Sequence, residues 1–357
     1  MSKVENSYYL FGHKLSKKSL LSLAKSKINE DSIGDWEKDI FRFIVEWFDN
    51  NDFIKVKTSG STGNPKTISL KKKYMLISAK ATLDFLRLGK KDKAFLCLPA
   101  NYIAGKMMIV RALTGELDLH YVQPSLNPEY RQNEEFKLLA VVPSMLSTIL
   151  NSEKIRELEG FENILIGGSE ISAKEEEQLA VLNNKIWHTY GMTETITHIA
   201  LRRINGKERS EWFTPLADVQ ISASKENTLM INYNNIGAFN LVTNDLAEIN
   251  DNGNFKILGR IDNVIISGGL KIHPEILEKK ITEILENNFF IYGLSNEKLG
   301  QKVVLFVEGK TAKTNPKILM ELTQILTNLE MPKEIIRVRQ FERTNSGKLI
   351  RKNYLLT

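Results

Sequence analysis

Short apolar runs alternate with helical patterns through the middle of this chain, and this alternation constrains the fold more than any other feature. The runs at 138–142 and 163–166 each fit a buried strand. Pro143 opens a helix after the first run, and Ser172 with Glu175 forms a capping box that opens a helix after the second. Alternating strands and helices of this kind form a mostly parallel sheet covered by helices. We therefore expect an α/β fold.

The N-terminal third adds further elements to this picture. Apolar residues at helical spacing from Trp36 to Trp47 predict one amphipathic helix. A second helix is predicted over 72–88, with Gly89 as its stop, followed by a buried strand over 94–98. The apolar stripe of the first helix is interpreted as core and not as a cofactor site.

The elements become shorter after residue 258. Strands are predicted at 264–266, 289–292 and 303–307, with helices beginning near Pro274 and Pro316. This tail fits a small α+β domain. Because no loose linker precedes it, the boundary is expected to be a tight hinge, which gives a large domain over 1–261 and a small mobile domain over 262–357.

Composition limits the class of protein. The 357 residues exceed the size of one core, and 42% hydrophobic with 26% charged residues is typical of a globular protein. The net charge of +6 favours anionic small molecules and does not require nucleic acid. The first ten residues lack the apolar core of a secretory signal, and no stretch predicts a membrane span, so we expect a cytoplasmic protein. The single cysteine, Cys97, is expected to be buried and inert.

The segment 58–66 is suited to holding phosphate. Its hydroxyl, glycine and lysine residues are Thr58, Ser59, Gly60, Ser61, Thr62, Gly63 and Lys66. Glycines let the backbone approach the ligand, amides and hydroxyls donate hydrogen bonds, and the lysine adds a positive charge. The spacing differs from that of the nucleoside-triphosphatase P-loop, because Pro65 separates Asn64 from Lys66.

This segment resembles the phosphate loop of the adenylate-forming superfamily, which includes acyl-CoA synthetases, luciferases and peptide-synthetase adenylation domains. Four more motifs follow in the family's order, and the resemblance covers the chain from Thr58 to Lys352. It implies ATP and Mg²⁺ as ligands and coenzyme A as the acyl acceptor. Most relatives carry a much longer segment before the phosphate loop, so the resemblance also implies a shortened N-terminal subdomain.

The resemblance assigns the adenine and metal ligands to two motifs. The loop Gly167-Gly168-Ser169 is similar to the adenine-side loop, in which glycines let a flat base lie against the backbone. In the segment that begins Tyr190-Gly191, the family's tyrosine stacks on adenine. The next two assigned residues are Thr193, which bonds the α-phosphate, and Glu194, which holds Mg²⁺, a cation that prefers carboxylate and phosphate oxygens.

The ribose and hinge residues come from the third and fourth motifs. Asp245 is similar to the family's ribose-binding aspartate. Asn244 stands in place of the usual glycine, and this exchange is expected to be tolerated because asparagine adopts left-handed backbone more readily than most residues. The resemblance places Arg260 beside Asp245 and identifies Asp262 as the hinge. Gly268 and Gly269 then correspond to the tunnel for coenzyme A.

The last motif resembles the loop that carries the family's catalytic lysine, which is Lys348 here. An ammonium group placed between the attacking carboxylate and the α-phosphate stabilises charge that builds in the transition state. The implied reaction has two halves. The carboxylate first attacks ATP and releases pyrophosphate; a thiol then attacks the acyl-adenylate and releases AMP. Lys348 serves only the first half, and rotation at Asp262 prepares the second.

The segment 98–108, together with 191–200, is similar to the short o-succinylbenzoate–CoA ligases of menaquinone synthesis. That substrate has an aromatic ring and two carboxylates, so its pocket needs a cation for the carboxylate that is not activated. The candidates are Lys106, Arg111 and His198. Lys106 is the residue we expect to pair with this carboxylate, and a lysine whose stem lies along the helix surface is the alternative.

Other functions share these motifs. Another aryl- or acyl-CoA ligase, or an adenylation enzyme that loads a carrier protein, would use the same residues. A non-catalytic nucleotide-binding regulator is a different class, and the presence of Lys348 argues against it. Pocket residues lie outside the motifs, and the oligomeric state does not follow from the sequence.

Overall fold

A computed structural model describes residues 7–57, 67–130, 134–310, 313–343 and 349–355. The chain divides into two compact units. The large unit comprises Met1–Gln220 and Asn232–Phe239, and the small unit comprises Ile221–Ile231 and Asn240–Thr357. The boundary expected between 261 and 262 is a hinge about which one segment rotates. A division into compact units does not test rotation, so this boundary stays a prediction.

The large unit contains six helices and eleven strands among its described residues. The helices are α1 (Lys17–Ile28), α2 (Asp35–Trp47), α3 (Lys72–Leu86), α4 (Ile103–Gly115), α5 (Pro143–Leu150) and α6 (Ala173–Leu179). The strands are β1 (Tyr8–Leu10), β2 (His13–Leu15), β3 (Phe53–Lys57), β4 (Thr67–Lys71), β5 (Lys93–Leu96), β6 (Asp118–Tyr121), β7 (Phe136–Val141), β8 (Phe161–Ile166), β9 (Lys185–Gly191), β10 (His198–Arg203) and β11 (Thr214–Pro215). A 3₁₀ helix, Glu153–Gly160, precedes β8.

Nine of these strands form one sheet in the order β11-β10-β9-β8-β7-β5-β6-β1-β2. The six central strands, β9-β8-β7-β5-β6-β1, pair in parallel with one another. At the two edges of the sheet, β2, β10 and β11 are added in antiparallel orientation. The predicted mostly parallel sheet is therefore confirmed. The sequence reading missed β1 and β2, because three-residue strands are too short to show a period.

A buried asparagine fixes the middle of this sheet. Asn163 of β8 is 1% exposed, and its amide donates to Lys137 O of β7 at 3.2 Å. On the other side, Trp187 Nε1 of β9 donates to Asn163 Oδ1 at 3.2 Å. A buried amide that lost one partner would cost about 1–3 kcal/mol, so these bonds favour the observed register of three strands.

Local sequence accounts for most helix ends. Both α2 and α5 lie where predicted, and Ser172 with Glu175 forms the predicted capping box of α6. Helix α3 ends at Leu86, earlier than predicted, because Arg87 adopts a left-handed conformation with φ of 56°. The helix therefore stops before Gly89 is reached.

The remaining elements follow Leu216. The strands are β12 (Gln220–Ala223), β13 (Thr228–Tyr233), β14 (Ala238–Ile249), β15 (Phe255–Arg260), β16 (Ile265–Ser267), β17 (Leu270–Ile272), β18 (Phe289–Asn296), β19 (Gly300–Glu308) and β20 (Glu334–Val338). The helices are α7 (Pro274–Ile281) and α8 (Asn315–Leu322). Short 3₁₀ turns occupy Asn234–Ile236 and Ile261–Asn263. The first four strands form one sheet, and the other five form a second sheet.

Strand β19 is the centre of the second sheet and is buried on both faces. Val303, Leu305 and Val307 pack with residues of α7 and α8 in one cluster. Val304 and Phe306 point the other way, into a second cluster. The small α+β domain is confirmed, with helices near Pro274 and Pro316 and strands around 265, 290 and 305. The sheet of β12 to β15 was not predicted. No helix in the described part of the chain is long and apolar enough to cross a membrane.

Gly105 allows α4 to approach the loop after β5. A Cβ atom at this position would lie 2.2 Å from Pro99 O. We expect Gly105→Ala to destabilise the protein by about 1–3 kcal/mol, because neither backbone can yield without repacking. Urea unfolding measures this change. Gly89→Ala is the matched control, since no atom lies within 4 Å of the added Cβ; equal stability losses in both variants would contradict the expectation.

Candidate active site

Two predicted groups lie outside the described residues: the phosphate loop, Thr58 to Lys66, and Lys348. The strands on either side of the phosphate loop are described. β3 and β4 pair as an antiparallel ribbon, with Lys57 opposite Thr67.

Two of the predicted nucleotide motifs in the large unit lie at one edge of its sheet. Strands β8 and β9 are parallel, with Ile166 opposite His188. Because carboxyl ends of parallel strands meet at the same edge, the loop that begins at Gly167 lies beside Tyr190 and Gly191. Ligands bind in open α/β sheets at such an edge.

The loop after β8 requires its glycines. A Cβ atom at Gly167 would lie 2.4 Å from Thr189 Oγ1, and Gly168 has a φ of 107°. His188 Nε2 donates to Ser169 O at 3.1 Å, which ties this loop to β9. His188 received no role from the sequence reading, because a single histidine within an apolar strand carries no motif.

Strand β9 extends further than predicted, through Gly191, because β10 turns back and pairs with it. A Cβ atom at Gly191 would lie 2.3 Å from Thr197 O, so the close pairing needs glycine. Tyr190 is half-buried, and its ring centroid lies 5.9 Å from that of Phe213. The tyrosine ring therefore has a supporting contact within the same unit.

The 3₁₀ turn Thr193–Thr195 presents Glu194 to solvent. Thr195 is buried, accepts from Met192 N at 3.0 Å and lies 2.8 Å from Thr197 O. Ile196 has a φ of 69°, which is strained for a β-branched residue and costs about 1–3 kcal/mol. Thr195 thus holds the turn through its buried hydroxyl group. The sequence did not predict this role, although the residue lies in the motif.

The candidates for substrate binding differ in their partners. Arg111 is 3% exposed, its Nη1 lies 3.9 Å from Met108 Sδ, and its Nε has no hydrogen-bond partner among the described residues. Within the same part of the chain, no carboxylate forms an ion pair with it. Burial lowers the pKa of Arg111 to about 10. Among the described residues, this guanidinium is a desolvated cation without an anionic partner.

His198 is a buried neighbour of Arg111. Thr82 Oγ1 donates to Ser78 O at 3.1 Å and so accepts from His198 Nε2 at 2.9 Å. Burial, and then the charge of Arg111, hold the pKa of His198 well below its usual range. A neutral imidazole therefore lies beside the charged guanidinium.

Lys106 is buried rather than extended along the helix surface, with 7% exposure. Its Nζ lies 3.7 Å from Glu46 Oε2 and 4.3 Å from the centroid of the Phe43 ring. Burial lowers the pKa of Lys106, although Glu46 opposes this shift. Lys106 therefore already has a partial partner on α2, whereas Arg111 has no carboxylate partner in the described part of the chain.

The small unit brings the predicted ribose and hinge residues together. Asp245 of β14 is opposite Arg260 of β15, and Arg260 Nη1 lies 3.4 Å from Asp245 Oδ1. Arg260 Nη2 donates to Asp262 Oδ2 at 3.0 Å, and Asn244 Nδ2 donates to the same oxygen at 2.9 Å. The hydrogen bonds from Arg260 and then Asn244 lower the pKa of Asp262. Asn244 lies within β14 and does not need left-handed backbone.

Gly268 and Gly269 form the turn between β16 and β17. Their φ values are 57° and 81°, which suit a tight hairpin with two left-handed residues. Gly268 N donates to Leu299 O at 2.9 Å. The turn geometry alone requires both glycines, and their assignment to a coenzyme A tunnel stays a prediction.

Comparisons with known proteins agree with the resemblance seen in the motifs. A family model for AMP-binding enzymes matches residues 26–279. The curated 2-succinylbenzoate–CoA ligase of Staphylococcus epidermidis is 25% identical over 324 residues, which are 83% of this chain and 68% of that protein. The protein of the same name from Staphylococcus aureus strain MRSA252 is 26% identical, with 82% and 65% covered. The chain thus spans about two thirds of the length of these relatives.

Two solved structures share the fold. An acyl-CoA synthetase (AMP-forming)/AMP-acid ligase II-like protein from Dyadobacter fermentans is 30% identical with a TM-score of 0.64, covering 94% of this chain and 97% of that chain. The o-succinylbenzoate CoA synthetase of Bacillus subtilis, solved with its acyl-adenylate intermediate, has a TM-score of 0.75 at 15% identity, with 99% and 96% covered. The second likeness concerns the fold alone.

The buried histidines predict a dependence of stability on pH. Burial, and then Arg202, lower the pKa of His188 to about 3. As pH falls below about 6.5, the unfolded chain binds a proton that folded His188 does not, so stability falls by up to about 1.4 kcal/mol per pH unit for this group. We expect His188→Gln to reduce the slope of unfolding free energy between pH 7 and 5, measured with urea.

The exposed His13 on β2 supplies the control. His13→Gln is expected to change the slope less than His188→Gln does. An unchanged slope in His188→Gln would mean that this imidazole titrates alike in the folded and unfolded chain.

Proposed function

Because the chain belongs to the AMP-binding enzyme family, we propose that it is an ATP-dependent acid–thiol ligase that converts o-succinylbenzoate to its coenzyme A thioester in menaquinone synthesis. The observation that carries the substrate assignment is the buried Arg111 guanidinium without a described anionic partner. The names of the staphylococcal relatives and the motifs at the β8–β9 edge support the same reaction. ATP and coenzyme A are supplied in the cytoplasm, where we infer that the protein acts.

In the first half-reaction, the substrate carboxylate attacks the α-phosphorus of ATP and pyrophosphate leaves. We assign adenine to Tyr190 and the loop of Gly167, Gly168 and Ser169, whose glycines leave room for a flat ring. Thr193 donates its hydroxyl to the α-phosphate. Asp245 accepts from the ribose hydroxyls and Arg260 orients it, consistent with their 3.4 Å separation.

The phosphate loop and Lys348 complete this half. Lys66 and the loop amides hold the phosphates, and the Lys348 ammonium stabilises the charge that builds between carboxylate and α-phosphate. Glu194 fits a Mg²⁺ ligand, because it is an exposed carboxylate that forms no ion pair with a described residue. A bound Mg²⁺ would neutralise phosphate charge; this ion commonly needs only one or two protein carboxylates.

In the second half-reaction, the thiol of coenzyme A attacks the carbonyl carbon of the acyl-adenylate and AMP leaves. We propose that the segment after Asp262 rotates, moves Lys348 away and brings Gly268 and Gly269 toward the thiol. In the described conformation Asp262 is held by Arg260 and Asn244. These exposed bonds are weak enough to exchange during rotation.

Arg111 is the cation that we assign to the carboxylate that is not activated. An unpaired buried charge is costly, and a carboxylate that pairs with it recovers part of that cost. His198 stays neutral beside Arg111, so it does not compete for the anion. Lys106 remains the alternative candidate, although Glu46 already lies 3.7 Å from its ammonium group.

Adenylation is tested by pyrophosphate release from ATP and Mg²⁺ across a panel of carboxylates that includes o-succinylbenzoate. Thioester formation is followed by mass after coenzyme A is added. We expect selective turnover of o-succinylbenzoate, and a loss of about 100- to 1000-fold in pyrophosphate release for Lys348→Ala. Lys352→Ala, in the same segment but paired with Glu342, is the control and should retain activity.

Each other result selects a different function. Turnover of another acid would keep the enzyme class and reject the pathway. Transfer to a phosphopantetheinyl protein but not to free coenzyme A would identify a carrier-loading enzyme. Absence of pyrophosphate release with every acid would favour a nucleotide-binding regulator.

Substitution of Arg111 tests the substrate site. We expect Arg111→Gln to raise KM for o-succinylbenzoate by about 10- to 100-fold, since a hydrogen bond to a charged group is lost. KM for a monocarboxylate analogue should change little, because this analogue keeps only the carboxylate that is activated and has no second carboxylate for Arg111 to bind. Lys106→Gln is the matched comparison; selective loss of dicarboxylate affinity in Lys106→Gln and not in Arg111→Gln would assign the site to Lys106.

A further inference from the structure

The segments before and after residues 344–348 are paired with each other. Arg343 and Leu349 form an antiparallel bridge. Ile350 N donates to Glu342 O at 2.9 Å, and Glu342 N donates to Tyr354 Oη at 2.8 Å. The short segment that contains Lys348 therefore begins and ends at backbone positions that are fixed to one another.

These flanking segments also pack on the small unit's second sheet. Phe341 is buried with Phe290 and Phe306, and Leu349 and Tyr354 lie against the same cluster. The rings of Phe341 and Phe290 are 5.0 Å apart between centroids. Apolar packing fixes the distance of the C-terminal segment from the sheet, but it is not directional and leaves position along the surface undetermined.

Polar contacts supply that direction. Before residue 344, Phe341 N donates to Glu308 Oε1 of β19 at 2.6 Å. After residue 348, an ion pair adds direction. Arg351 Nη1 lies 2.5 Å from Glu278 Oε1, and Arg351 Nη2 lies 2.6 Å from Glu278 Oε2. Both side chains are largely shielded, with 25% and 15% exposure. Two parallel bonds between a guanidinium and a carboxylate fix orientation as well as distance, which a single contact does not.

Glu278 is itself held in place. It lies on α7, and its Oε1 accepts from Ile291 N of β18 at 2.7 Å. β18 is an edge strand in this sheet, and the Ile291 amide is one that the carboxylate satisfies in place of a neighbouring strand. The Arg351 guanidinium also lies 5.9 Å from the centroid of the Phe290 ring. The carboxylate thus joins α7, β18 and the C-terminal segment.

We propose that Glu278 is a positioning residue for Lys348, acting through Arg351. Arg351 follows Lys348 by three residues, and Leu349 between them is bound to Arg343, so little chain separates the ion pair from the lysine. The inference rests on the proposed role of Lys348 in adenylation. A misplacement of about 1 Å can cost about 100-fold in rate, so loss of the Glu278–Arg351 pair is expected to slow the first half-reaction.

A purely structural role for this pair predicts a different pattern. Loss of this half-buried ion pair would then lower the amount of folded protein and reduce both half-reactions equally. A positioning role lowers adenylation and spares the transfer from acyl-adenylate to coenzyme A, because Lys348 does not take part in that step. The two half-reactions therefore separate the two roles.

The test uses the full chain and two assays: single-turnover pyrophosphate release with ATP, Mg²⁺ and o-succinylbenzoate, and thioester formation from supplied acyl-adenylate and coenzyme A. For Glu278→Gln we expect at least a 10-fold lower rate of pyrophosphate release, with KM for ATP within about 3-fold and thioester formation within about 2-fold. Arg351→Lys should behave alike, because it keeps the charge and loses the paired bonds. It replaces Glu278→Gln where that variant does not fold.

Glu334→Gln is the matched control. Glu334 of β20 pairs with Lys302 of β19 at 2.7 Å in the same sheet. This variant should leave both half-reactions within about 2-fold. Equal loss in both half-reactions for Glu278→Gln, or no loss in adenylation, would overturn the positioning role.

Two further measurements complete the test. In a Lys348→Ala background, Glu278→Gln should cause less than a 2-fold additional loss, because the residue acts through the lysine; additive losses would overturn the inference. Hydrogen exchange of a peptide covering 349–355 should be faster in Glu278→Gln, and unchanged exchange would overturn the inference irrespective of activity. A wild-type chain that released no pyrophosphate with any acid would instead reject the proposed function, and with it the positioning role.

Discussion

The parallel register of β7, β8 and β9 is the constraint on which the nucleotide site depends. Asn163 accepts and donates across both neighbours from the interior of the sheet, and a shift of either strand would leave a buried amide unpaired. This register aligns the carboxyl ends of β8 and β9. The glycine loop after β8 and the tyrosine near the end of β9 are therefore neighbours, although more than twenty residues separate them in the chain.

Among the described residues of the large unit, buried charged side chains lie near a charged or aromatic partner, and Arg111 is the exception. Arg202 is paired with Glu176, and Lys106 has Glu46 and the Phe43 ring nearby. Arg111 lacks such a partner within the described residues. Since desolvated charges are costly without compensation, this exception supports the proposal that an anion arrives with the substrate.

In the small unit, the C-terminal segment is held against the second sheet. Its core residues lie on both faces of β19, and the C-terminal segment completes the second of those faces. Apolar burial supplies most of the stability of such an arrangement, but it does not fix direction. The paired bonds between Arg351 and Glu278 add direction.

Local patterns predicted much of this fold. The stripe from Trp36 to Trp47, the proline-initiated helices and the capping box at Ser172 depend on neighbours within a few residues, so the sequence contains their full cause. The end of α3 was misplaced, because left-handed Arg87 has no sequence signal comparable to Gly89. Strands β1 and β2 were missed, because their stability comes from pairing with β6 and with each other.

The sequence by itself determined the α/β class and the order of the motifs, since these follow from periodicity and from short contiguous segments. It also supplied the residues that we propose to bind nucleotide. Only the tertiary structure decided which buried cation has no anionic partner among the described residues and that Asn244 contacts Asp262. It alone also decided that Glu278 reaches Arg351. These contacts join residues distant in the chain, and their energies depend on burial and on the distance between charged atoms, which chain order does not encode.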